Sequence, residues 1–97
     1  MSTHDEVQAA LAADAQRELQ QASLSELVAR IRRDWAKPYF GAVPYLQALA
    51  QLDSIEQPFG ADSGREMVLY FLANANTWRG IEARRIKTEL KRRAGIR

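Results

Sequence analysis

The chain has 97 residues, of which 46% are hydrophobic and 27% charged, with a formal net charge of +2 and no cysteine. These values describe one globular domain with a single small core and exclude a disordered chain. The missing cysteine excludes disulfides, thiolate zinc sites and thiol nucleophiles, and no apolar run approaches the roughly 18–20 residues needed to span a bilayer.

Met1 to Glu6 has neither the basic start nor the apolar stretch of a signal peptide. The expected protein is cytoplasmic, contains no metal or cofactor, and folds as a single helical domain over residues 1–97.

Thr3 and Glu6 have capping-box spacing and open a first helix, rich in Ala, Gln and Glu, that runs to about Ala22. Its apolar stripe is thin: Val7, Leu11, Ala15 and Leu19. Residues 1–22 are therefore expected to pack loosely, to fray at their start, or to contact another chain. Ser23 and Glu26 cap a second helix that buries Leu24, Leu27, Val28, Ile31 and Trp35 on one face. Glu26, Arg30 and Asp34 alternate in sign along the opposite face. Pro38 ends this helix, because a residue before proline is pushed out of the α region.

A short aromatic connection, Tyr39 to Tyr45, follows. Pro44 suits the first turn of a third helix that reaches about Leu52 and buries Leu46, Leu49 and Ala50. Asp53 to Ala61 reads as a loop. Asp62 or Ser63 caps a fourth helix near 63–76, Ser63 and Glu66 repeating the capping spacing, and its centre, Met67 to Ala73, is apolar on every side. That pattern marks the central helix. A fifth helix runs from about Gly80 to Ala94, with Gly95 as its cap. No segment alternates as a strand would. The fold class is all-α, a compact bundle of four to five short helices.

Charge is unevenly placed. Residues 79–97 hold eight basic groups against two acids, whereas the rest of the chain holds six against ten. On the last helix Ala83, Ile86, Leu90 and Ala94 form a stripe about 80° wide that faces the bundle. Arg84, Arg85, Lys87, Lys91 and Arg92 fill the adjoining arc, with Glu82 and Glu89 on the far flank. Glu82 and Glu89 can pair with Arg85, Arg92 and Arg93 at three or four residues' spacing, which leaves Arg84, Lys87 and Lys91 without a local partner. The arc reads either as a phosphate-contacting nucleic-acid face or as a solvated surface that complements the helix dipole. It could also dock on the acidic first helix through Asp5, Glu6, Asp14 and Glu18.

The aromatic residues divide in the same way. Trp35 and Phe71 read as core, Tyr39 and Phe40 as an exposed loop pair, and Trp78-Arg79 as either core or a stacking platform. Asn74 is expected to tie down a neighbouring loop. Enzyme chemistry has little material. His4 is the only histidine, the five glycines form no phosphate loop, and no set of acids has metal-ligand spacing.

The segments Lys37 to Leu46, Tyr70 to Ala75 and Thr77 to Gly80 resemble an uncharacterised family of small proteins of actinobacteria and their phages. The likeness covers Asp34 to Lys91 and is most specific from Tyr70 to Gly80. It implies a cytoplasmic or phage-related setting and no assigned activity.

Two functions follow from these residues. The first is a non-enzymatic module for self-association or a protein partner, through Val7, Leu11, Leu19, Tyr39 and Phe40. The second is nucleic-acid binding through Arg84, Arg85, Lys87, Lys91 and Arg92.

Overall fold

The computed structural model of the chain describes residues 3–96. Met1, Ser2 and Arg97, which belong to the N-terminal start and the basic tail read above, lie outside that range. The described residues form five α-helices: α1 (His4–Gln21), α2 (Leu24–Asp34), α3 (Val43–Leu49), α4 (Gly64–Ala73) and α5 (Ile81–Ala94). A 3-10 turn, Phe40–Ala42, leads into α3, where Pro44 occupies the first turn. The protein is all-α, as its periodicities predict.

The caps explain the helix limits. Thr3 and Glu6 make both bonds of the capping box. Ser23 and Ser63 each accept the amide of the glutamate three residues on. Gly95 ends α5 at φ 76°, in the left-handed region that glycine enters without steric cost, and the amides of Gly95 and Ile96 satisfy the Arg92 and Lys91 carbonyls.

One core holds Leu24, Leu27, Val28 and Ile31 from α2, Leu46 and Leu49 from α3, Met67, Val68 and Phe71 from α4, and Ala83, Ile86, Leu90 and Ala94 from α5. α4 packs between α3 and α5 and is the central apolar helix. It departs from the expectation in two ways. It stops at Ala73 rather than 76, and it is not covered on every side, since Tyr70 is 44% exposed. Two neighbouring helices cannot enclose a third, so the remaining side carries a Tyr70–Tyr45 ring contact at 5.5 Å instead of a further layer.

The loop after α3 contains the only strand pairing among the described residues. Pro58–Phe59 (β1) and Asp62–Ser63 (β2) pair antiparallel, Pro58 opposite Ser63 and Phe59 opposite Asp62, around Gly60 at φ 61°. Two residues per strand are too few to show alternation in sequence. Beside the Ser63 hydroxyl, backbone carbonyls of the loop take up the first amides of α4. The Gly64 and Arg65 amides donate to the Gln57 and Ile55 carbonyls at 2.9 and 2.7 Å. A side chain at Gly64 would bring its Cβ within 2.8 Å of the Ser54 oxygen and Ile55 Cα, so the close approach requires glycine.

Candidate functional site

The basic helix α5 is partly consumed by the fold. Glu89, expected on its outer flank, is completely buried. Its carboxylate accepts two bonds from Arg92, at 2.9 and 2.8 Å, and one from Arg93 at 2.6 Å. Burial pushes the Glu89 carboxyl up, but the hydrogen bonds and charges of the two arginines together outweigh it and hold the group below the ordinary carboxylate range.

Arg93 carries this network across to α1. Its Nη2 donates to the carbonyls of Leu19, Gln20 and Ala22 at 2.9, 3.3 and 2.6 Å. The last turn of α1 contains no cation of its own. The orphan carbonyls and negative dipole end of α1 are thus met from α5, which explains why a glutamate is buried one turn before Arg93.

Lys87 is likewise committed. Its ammonium donates to the carbonyls of Ala75 and Trp78 at 2.7 and 2.6 Å and lies 5.6 Å from the centre of the Trp78 ring. It closes the turn between α4 and α5 and is not presented to a phosphate. Burial lowers its pKa, and the nearby Lys91 and Arg79 add to that. Trp78 is itself buried, which removes it as a stacking platform. Its ring stacks on Trp35 at 5.8 Å, both meet Phe71 edge-on, and its indole Nε1 donates to Asp34 at 2.8 Å. Asp34 therefore serves this cluster instead of an ion pair with Arg30. Arg30 turns to Glu82 and Glu18, at 3.5 and 3.8 Å.

What remains of the basic arc is smaller than its sequence suggests. Arg84 and Lys91 are exposed and have no partner among the described residues. Arg85 is half-buried and loses the expected Glu82 to Arg30, and Arg92 is exposed but paired.

The other candidate surface lies on α1, which runs parallel to α5. Ala12 and Ile81 border one groove, the Gln16 side chain donates to the Arg85 carbonyl at 3.1 Å, and Arg93 grips the end of the helix. Leu19 is buried in the core and belongs to the anchor rather than to an exposed contact. From Thr3 to Asp14 every residue is exposed, including Val7 (46%) and Leu11 (56%). This arm of about three turns accounts for the elongated shape, 54 × 27 × 22 Å.

Tyr39 and Phe40 form a third surface feature. Their rings touch at 4.7 Å, and Phe40 is 79% exposed. Beside them Asn74 donates to the Tyr70 carbonyl on its own helix, and its Oδ1 fills the space a Gly41 side chain would need. Asn74 thus packs against the expected loop, while its hydrogen bond stays within α4.

Three positions escaped the sequence reading. Ile81 is 70% exposed; it lies opposite the buried stripe of α5, so its helical phase alone would have located it. The exposure of Tyr70 had no such signal, because its neighbours are apolar on every side. Arg33, at the end of α2, borders a groove with Glu18 and Arg30 that forms only where the end of α1 meets α2 in the fold.

Among the described residues no helix is long and apolar enough to cross a membrane, and no group of three or more histidines or acids is placed to hold a metal ion. Neither a family model, nor a curated protein, nor a solved structure gives a significant match to this chain.

Proposed function

We propose that the protein is a non-enzymatic helical interaction module that docks a partner helix on the exposed arm of α1. The observation that carries this reading is the run from Thr3 to Asp14, helical from His4 and exposed throughout, with Val7 and Leu11 uncovered. Isolated helices shorter than about 12–15 residues are marginal in water, so an arm of this length gains most of its order from what it packs against. Apolar residues four apart on a good helix former are the usual anchors of helix docking. Tyr39 and Phe40 offer a second, smaller contact. The absence of cysteine and the resemblance to small actinobacterial and phage proteins support a cytoplasmic setting.

The test is affinity capture from cells with the intact chain beside a Val7→Asp/Leu11→Asp variant, matched for folded amount. The expected result is at least one protein, its own chain included, that the intact form retains and the variant loses. Identical captured sets would end the reading.

Nucleic-acid binding is the second reading, and the exposed Arg84 and Lys91, unpaired among the described residues, favour it. It predicts that affinity for random duplex DNA or RNA falls steeply with salt and is lost in Arg84→Glu/Lys91→Glu. Lys87 is left unchanged in that variant because its ammonium holds the fold. No binding at low salt would remove this reading.

A further inference from the structure

The partner that the arm fits best is a second copy of this chain. We infer that two copies pair through an antiparallel contact of their α1 arms, Val7 of each against Leu11 of the other. This rests on the interaction reading above and adds the identity of the partner and the register.

The argument begins with which side of α1 is vacant. At about 100° per residue, His4, Val7, Leu11, Asp14 and Glu18 share an arc about 80° wide. Glu18 reaches Arg30 of α2 at 3.8 Å, so the C-terminal end of this arc borders α2. α2 leads away from the end of α1 and stops at Asp34, with Arg33 bordering the same groove as Glu18 and Arg30. Beyond that point the arc continues along α1 with nothing upon it, and there Val7 and Leu11 stand exposed.

A copy's arm running antiparallel to α1 fills that vacancy, and the charges favour it. Setting Val7 against the copy's Leu11 also sets His4 against the copy's Asp14, which gives an imidazole–carboxylate contact at each end of the seam. The first turn of the incoming arm carries Asp5 and Glu6 and comes to lie beside Asp14, one turn short of the groove that Glu18 lines with Arg33, in the last turn of α2, where Arg32 also stands. Both arginines are exposed. Acids at a helix start and cations at a helix end each complement their own helix dipole, so the two termini approach each other with opposite charge. The contact is self-complementary and closes on itself as a two-fold pair, leaving no free copy of the surface.

The chain has no cysteine, which allows a direct test of register. Sedimentation equilibrium of the purified chain should show a monomer–dimer equilibrium. Arg33→Glu should weaken dimerisation at least about tenfold, and Asp5→Arg/Glu6→Arg introduced with it should restore it. In an oxidised equimolar mixture of Val7→Cys and Leu11→Cys chains, the mixed disulfide should predominate over either homodimer. Predominant Val7→Cys homodimers would overturn the antiparallel register. A dimer indifferent to Arg33→Glu and to both cysteine positions would overturn the arm as its interface. A strict monomer at all concentrations would overturn self-pairing, while the interaction reading would still be decided by the capture comparison.

Discussion

Replacing Glu89 by glutamine is expected to lower the unfolding free energy by about 3 kcal/mol, the low end for a broken buried ion pair, because Arg92 keeps contact with water. Glutamine preserves the volume but leaves Arg93, which is only 14% exposed, without its counter-charge. For a domain of this size that is a fall in Tm of about 15 °C, measurable by thermal denaturation at neutral pH.

The pH dependence supplies a second check. Glu89 titrates below its ordinary value in the folded chain, so its contribution is fully present above about pH 4.5 and is lost as pH falls through the lowered folded value. The Tm difference between the two proteins should therefore be constant near neutrality and shrink on acidification below 4.5. A difference that stayed constant into acid would show that packing, rather than the charge, is the source. The same substitution loosens Arg93 from the Leu19, Gln20 and Ala22 carbonyls. Amide exchange in the last two turns of α1 should then rise more than in α3.

Glu89 also shows where the sequence is legible and where it is not. Local rules locate what local rules control. The Thr3–Glu6 box, the Ser63 cap, the Gly95 terminus and the Ala83–Ile86–Leu90–Ala94 stripe all depend on residues within a turn or two of one another, and all stand where their spacing predicts. The pairing of Glu89 with Arg92 and Arg93 is legible by the same rule. Its burial is not, because the demand for it comes from the carbonyls of α1, some seventy residues earlier. A faint signal existed: the end of α1, Leu19-Gln20-Gln21-Ala22, has no lysine or arginine to meet its own dipole. Asp34 is similar. Its spacing from Arg30 suggests a surface ion pair, but the buried Trp78 needs an acceptor for its indole N–H and takes the carboxylate.

The candidate surfaces follow this division. The exposure of Val7 and Leu11 follows from a stripe too thin to bury. The basic arc, by contrast, loses Lys87 to carbonyls that no helical projection of α5 could have revealed. A run of cations thus overstates a binding face whenever the fold has unmet acceptors nearby.

Lys87→Met is the substitution that measures this directly, and it is expected to cost about 3 kcal/mol. Methionine reproduces the apolar stem against Trp78 and removes only the donors. The carbonyls of Ala75 and Trp78 then lose charge-assisted bonds of 2.7 and 2.6 Å, each worth about 1.5–3 kcal/mol, with the lower figure apt where water can reach. The lowered pKa of Lys87 does not argue against such a loss. It compares a charged with a neutral amine at the same place, and a neutral amine still donates to both carbonyls, whereas a thioether donates to neither. Urea unfolding should report the change in midpoint. The Arg84→Glu/Lys91→Glu protein, measured alongside, should stay within about 0.5 kcal/mol of the parent, as surface changes usually do. If Lys87→Met were as stable as the parent, the turn between α4 and α5 would not depend on the ammonium, and Lys87 would return to the set of cations available to a ligand. If the loss appears, any charge reversal that includes Lys87 unfolds part of the protein, and a binding defect in such a variant reports on stability instead of on a phosphate contact.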